Sequence, residues 1–95
     1  MIQNISVSEL NNLNDIILID VRSIEKYNSN HIQGSINIPS NLILSNPSKY
    51  LNKKNKYYIY CQKGIQSKKI CLILKNLGYN VVNVLGGYEA WILRK

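Results

Sequence analysis

The stretch Tyr57-Tyr58-Ile59-Tyr60-Cys61-Gln62-Lys63-Gly64-Ile65-Gln66-Ser67 decides how this chain is read. Four residues of high β propensity deliver a cysteine to the end of a strand, and a loop containing Gly64 then opens into a helix. Such a junction gathers unpaired backbone N–H groups around the thiol, and Lys63 adds a positive charge within the same loop. Surroundings of this kind favour a thiolate, which makes Cys61 the candidate nucleophile.

Downstream, Ile70, Cys71, Ile73, Leu74 and Leu77 recur at helical spacing, and Gly78 is placed as the left-handed residue after the last turn. Val81 to Leu85 forms a further strand, Gly86-Gly87 turns the chain, and Tyr88 to Leu93 closes it with a helix. Upstream, Ile16 to Ile19 is a β-branched run without polar alternation, the pattern of a strand covered on both faces. Ile36 and Ile38, closed by Pro39, make a brief strand, and Ile2 to Ile5 a small edge strand or staple. Ser6-Val7-Ser8-Glu9 has capping-box spacing and predicts a short helix through Leu10 to Leu13, and Ser23 caps another through Ile24, Glu25 and Tyr27. A helix across Leu42 to Leu44 is limited by Asn46-Pro47. Strands alternating with helices predict an α/β fold, a small, mostly parallel five-stranded sheet with helices on both faces.

Ninety-five residues suffice for a single domain, 1–95, burying roughly 60–70% of its unfolded surface. Apolar residues are 45% and charged residues 18%, too apolar for a disordered chain. Twelve Lys and Arg against five Asp and Glu give a net charge of +7. No basic stretch interleaves with aromatics, so a nucleic-acid partner is not expected, and a bias toward Lys, Asn and Ile explains the charge more simply. Small anionic substrates remain compatible with it. The spacing of Cys61 and Cys71 matches neither a C-x-x-C redox pair nor a zinc set, so no metal is expected. The absence of a signal-peptide pattern or membrane-length apolar run reads as cytoplasmic, where free thiols persist.

In parallel α/β sheets the site lies beyond the carboxyl ends of the strands, where Asp20, Arg22, Cys61 and Gly86-Gly87 all fall. Asp20 and Arg22 read as an ion pair supporting that corner rather than as catalytic groups. Cys71 reads as a core residue, His31 as a hydrogen-bonded structural residue, and Trp91 with Tyr88 as packing for the last helix.

Taken in order, Leu18-Ile19-Asp20-Val21-Arg22, Tyr27, His31-Ile32-Gln33-Gly34-Ser35-Ile36-Asn37-Ile38-Pro39, the Cys61 loop, Leu77-Gly78-Tyr79 and Leu85-Gly86-Gly87-Tyr88-Glu89-Ala90-Trp91 resemble the single-domain rhodaneses from Ile16 to Trp91. The resemblance implies a sulfurtransferase whose Cys61 becomes a persulfide and passes that sulfur to cyanide or a thiol. Its loop amides from Gln62 through Lys63, Gly64, Ile65 and Gln66 to Ser67 would form the anion cradle, with Lys63 as a substrate contact. No cofactor is implied beyond the covalent persulfide. The implied partners are a small sulfur donor such as thiosulfate, a thiol or cyanide acceptor, and a sulfur-relay protein, with no membrane partner. Six residues from Cys61 to Gln66, with Ser67 at helix entry, suit a sulfur atom, whereas phosphatase-like and arsenate-handling relatives use a loop one residue longer. Two departures stand out: Gln66 replaces the frequent arginine of C-x-x-G-x-R-S, and Asn30 replaces a glycine before His31. Gln66 motivates a rival reading, a catalytically weak rhodanese-like binding module.

Overall fold

The computed structural model describes residues 1–95. In chain order the elements are β1 (Gln3–Ile5), α1 (Val7–Leu10), β2 (Ile17–Asp20), α2 (Ile24–Ser29), β3 (Ile36–Asn37), α3 (Ser40–Ser45), α4 (Pro47–Tyr50), β4 (Lys56–Tyr60), α5 (Ile65–Asn76), β5 (Asn80–Val84) and α6 (Gly87–Ile92). The strands form one sheet in the order β1-β5-β4-β2-β3, and every pairing is parallel. The sheet expected to be mostly parallel is wholly so. β4 occupies its centre, with Ile59 beside Ile19 of β2 and Asn83 of β5.

Alternation along the strands divides the core in two. On one face Ile19, Tyr57, Ile59 and Val81 pack against Ile43 of α3 and Ile70, Cys71 and Leu74 of α5. On the other, Leu18, Tyr58, Tyr60, Val82 and Val84 pack with Leu10 of α1, and Tyr88 and Trp91 of α6 cover them. Both faces of the sheet are therefore covered, which is why its central strands read as apolar runs.

Local signals account for most helix starts. The Glu9 N–H donates to Ser6 Oγ at 3.1 Å while the Glu9 carboxylate accepts from the Ser6 N–H, completing the capping box. That helix ends at Leu10 rather than reaching Leu13, because Asn11 and Asn12 favour a turn. Ser23 Oγ accepts from the Lys26 N–H and caps α2. Pro47 both ends α3 and opens the unexpected α4, since the first helical position does not need the missing N–H.

α5 differs from expectation in two respects. It begins at Ile65 rather than at Ser67, because Gly64 adopts φ +86° and turns the chain into the helix earlier. Its buried residues are Ser67, Ile70, Cys71 and Leu74, an i, i+3, i+4, i+7 stripe, so Ile73 and Leu77 fall outside the stripe and stay exposed.

The Gly86-Gly87 turn brings α6 against the loop after β4. A β-carbon on Gly87 would lie 2.4 Å from the Cys61 carbonyl oxygen and 2.8 Å from the Gly64 nitrogen, at φ +60°. Gly87→Ala is therefore expected to cost about 1–3 kcal/mol, from left-handed strain and overpacking. A urea titration compared with the parent protein measures it.

Candidate active site

Cys61 follows the last residue of β4, at the carboxyl edge of the central strand, and is 3% exposed. Its Sγ accepts the N–H of Gly64 at 3.1 Å and that of Ser67 at 3.2 Å. Ser67 Oγ lies 3.3 Å from the sulfur and donates its proton to Asn83 Oδ1 at 2.6 Å, so it accepts from the Cys61 thiol. Of the six amides from Gln62 to Ser67 expected around the sulfur, those two bond it. The N–H groups of Ile65 and Gln66, in the first turn of α5, have no carbonyl partner, as helix geometry requires.

Hydrogen bonds to its carbonyls set the loop. The Tyr88 N–H donates to the Cys61 carbonyl at 2.9 Å and the Glu89 N–H to that of Gln62 at 3.0 Å. These bonds fix the first two peptide units of the loop against α6. The Gln62 side chain is fixed from both sides, donating to Glu89 Oε2 and accepting from Arg22 Nη1 at 3.1 Å.

Asp20 and Arg22 form the expected ion pair. Their side chains make a bidentate pair, with Nε 3.1 Å from Oδ1 and Nη2 2.7 Å from Oδ2, and both are buried. Arg22 also donates to the Asn30 carbonyl at 2.6 Å and lies 4.4 Å from the Tyr88 ring centroid. Burial opposes its charge, but the hydrogen bonds and attraction to Asp20 outweigh this and hold its pKa above the usual arginine value. Neither side chain hydrogen-bonds the Cys61 sulfur; Arg22 reaches its loop through Gln62.

A recess of about 470 Å³ opens over the cysteine, lined by Lys26, Cys61, Gln62, Lys63, Ile65, Gln66 and Lys69. Three lysines and no carboxylate line it. Lys63 is exposed, with no bond to hold it inward. Gln66 Nε2 donates to Ser40 Oγ at 3.2 Å, tying the loop to the start of α3. Lys26 escaped the sequence reading because it comes from α2, thirty-five residues before Cys61. Asn83 also escaped, although an amide within Val81-Val82-Asn83-Val84 was a visible signal.

Cys71 is fully buried, and burial, followed by the neighbouring Cys61 charge, pushes its thiol up to about 12. It belongs to the core. His31 stacks on Tyr27 with 3.9 Å between ring centroids and donates from Nδ1 to the Tyr27 carbonyl at 2.8 Å, the structural role read for it. No group of three His, Cys, Asp or Glu stands together as a metal site, and no helix is long and apolar enough to cross a membrane.

Comparison with known proteins agrees with this geometry. The family described as "Rhodanese-like domain" matches residues 6–94. The chain is 34% identical over 90 residues to the adenylyltransferase and sulfurtransferase uba4 of Ogataea parapolymorpha, covering 94% of this chain but 23% of that protein. It is 30% identical over 91 residues to the thiosulfate sulfurtransferase GlpE of Coxiella burnetii, covering 95% of this chain and 84% of the relative. The crystal structure of a rhodanese-like domain protein from Staphylococcus aureus superposes with a TM-score of 0.86 at 30% identity, over 95% of this chain and 91% of that one. The chain belongs to the rhodanese-like domain family.

Proposed function

We propose that the protein moves sulfane sulfur from a donor such as thiosulfate, or a persulfide, to a thiophilic acceptor through a persulfide on Cys61. The observation that carries this reading is the Cys61 sulfur accepting the Gly64 and Ser67 N–H groups at the base of a lysine-lined recess. Fixed donors around a sulfur stabilise its anion without reorganisation, the logic of an oxyanion hole. In loading, the Cys61 thiolate forms a bond to the outer sulfur of thiosulfate, the donor S–S bond breaks, and its electron pair leaves on sulfite. The outer persulfide sulfur then lies over the first turn of α5, where the unpaired Ile65 and Gln66 N–H groups and the positive end of a twelve-residue helix favour negative charge. Lys26, Lys63 and Lys69 attract the anionic donor. Two free cysteines fit a reducing, cytoplasmic setting in which a sulfur-relay protein serves as acceptor.

The observation favouring a catalytically weak binding module is Gln66, which stands where arginine is frequent and whose amide is engaged by Ser40. Intact-mass spectrometry after brief exposure to thiosulfate separates the two readings. A gain of one sulfur atom on the parent and none on Cys61→Ala, discharged by cyanide as thiocyanate, is the expected outcome. No gain, with Cys61 slow to alkylate, favours the binding module.

Iodoacetamide at neutral pH is expected to label Cys61 and leave Cys71 untouched in the folded protein. The Cys71 thiol, pushed up to about 12, stays protonated there. Peptide mapping of the labelled sites checks this.

Replacing Lys26 with alanine is expected to raise the KM for thiosulfate about two- to fivefold with little change in kcat, as one exposed charge contributes. Raising the salt concentration narrows the difference between the two proteins.

A further inference from the structure

Asn83 occupies an improbable place for an amide. It is 1% exposed, in a strand whose other inward residues are valines, and its side chain makes two contacts. Oδ1 accepts from Ser67 Oγ at 2.6 Å, and Nδ2 donates to Oδ1 of Asn4, an exposed residue of edge strand β1, at 3.2 Å. Together with the 3.3 Å contact between Cys61 Sγ and Ser67 Oγ, this makes an unbroken file from the thiol through Ser67 and Asn83 to the surface at Asn4.

The direction of that file matters, because Ser67 has one hydroxyl proton. With the Asn83 oxygen facing it, the proton points away from Cys61 and a lone pair faces the sulfur. Only a protonated S–H fits that arrangement. A thiolate there would meet an oxygen lone pair. The two ends of a carboxamide have nearly the same shape, so rotating the Asn83 and Asn4 amides by half a turn reverses every bond without moving the backbone. Asn4 Nδ2 then donates to Asn83 Oδ1, Asn83 Nδ2 donates to Ser67 Oγ, and the Ser67 hydroxyl donates to the sulfur.

We propose that Asn83 is a positioning residue whose amide, reversing together with that of Asn4, switches Ser67 from accepting the Cys61 thiol proton to donating a hydrogen bond to the sulfur anion. This rests on Cys61 being the nucleophile. The switched state serves the discharge step. There the acceptor's lone pair, on cyanide carbon for instance, forms a bond to the outer sulfur, the persulfide S–S bond breaks, and its electron pair returns to Cys61 Sγ. The departing thiolate takes the Ser67 hydrogen bond as it forms.

The test uses substitutions that bias the file in opposite directions. Asn83→Asp replaces the amide by oxygens that accept, holding the Ser67 proton away from sulfur. Asn83→Leu removes the competing acceptor and leaves that proton to the sulfur. The readouts are the ultraviolet absorbance of the thiolate and the rate of iodoacetamide labelling at neutral pH. A fall of about three- to tenfold for Asn83→Asp and a rise for Asn83→Leu are expected, the span of one hydrogen bond. The charged groups around the site, Lys26, Lys63, Lys69 and the Arg22–Asp20 pair, are unchanged in both variants.

Asn4→Asp, on an exposed edge, makes the same test without burying a charge. Its fall in labelling disappears in the Ser67→Ala background if the file transmits it, and persists there if the new charge acts through space, which overturns the proposal. Equal losses in Asn83→Asp and Asn83→Leu, the signature of a merely structural amide, overturn it too. These readouts follow the thiolate and need no turnover, so their failure is distinct from failure to load sulfur.

Discussion

Two hydrogen bonds hold the candidate active site in shape: those from the Tyr88 and Glu89 N–H groups at the start of α6 to the carbonyls of Cys61 and Gln62. A trans peptide unit points its carbonyl and its N–H in opposite directions, so holding these two carbonyls fixes the planes that carry the Gln62 and Lys63 N–H groups. The sulfur itself is bonded by Gly64 and Ser67, the amides beyond those two peptide units. The approach of α6 is possible because Gly86 and Gly87 both adopt positive φ and Gly87 carries no β-carbon where the loop backbone passes. One helix N-terminus thus organises the loop, and another, that of α5, faces the sulfur.

The rest of the scaffold maintains this contact from two sides. α5 is anchored by Ile70, Cys71 and Leu74 in the larger core, while α6 lies on the opposite face over Tyr58, Tyr60 and Val84. The loop therefore bridges both layers of the sheet and is not free to follow either alone. Arg22 closes the remaining side. Its bidentate bond to Asp20 keeps the guanidinium over the Tyr88 ring, and its third nitrogen holds Gln62. Tyr60, fully buried beneath it, has its phenol pushed up by burial and engaged with Ser35 and the Ile32 N–H, which fastens the chain after α2 to the same strand.

Charge is distributed around the site with a similar economy. Asp20 is neutralised within the protein by Arg22, so it leaves no negative field in the recess. Lys26, Lys63 and Lys69 stand at the rim, from three separate segments. In the proposed transfer this asymmetry favours anionic donors, and Gln66, turned toward Ser40, leaves the entrance to lysines rather than to a fork-shaped guanidinium.

Much of this was legible in residue order. Strand runs, caps at Ser6 and Ser23, the left-handed Gly78, and a cysteine between a strand and a glycine-led helix are local patterns, and local patterns express short-range sterics and backbone hydrogen bonding. The sequence by itself therefore determined the α/β fold, the candidate nucleophile and the Asp20–Arg22 ion pair. Other features arise between segments far apart in the chain: the file from Ser67 through Asn83 to Asn4, the arrival of Lys26 at the recess, and the choice of two amides among six to bond the sulfur. Those contacts depend on strand order and on which face each side chain takes. The order β1-β5-β4-β2-β3 sets β5 beside β4 and β1 beside β5, and only that packing decided them.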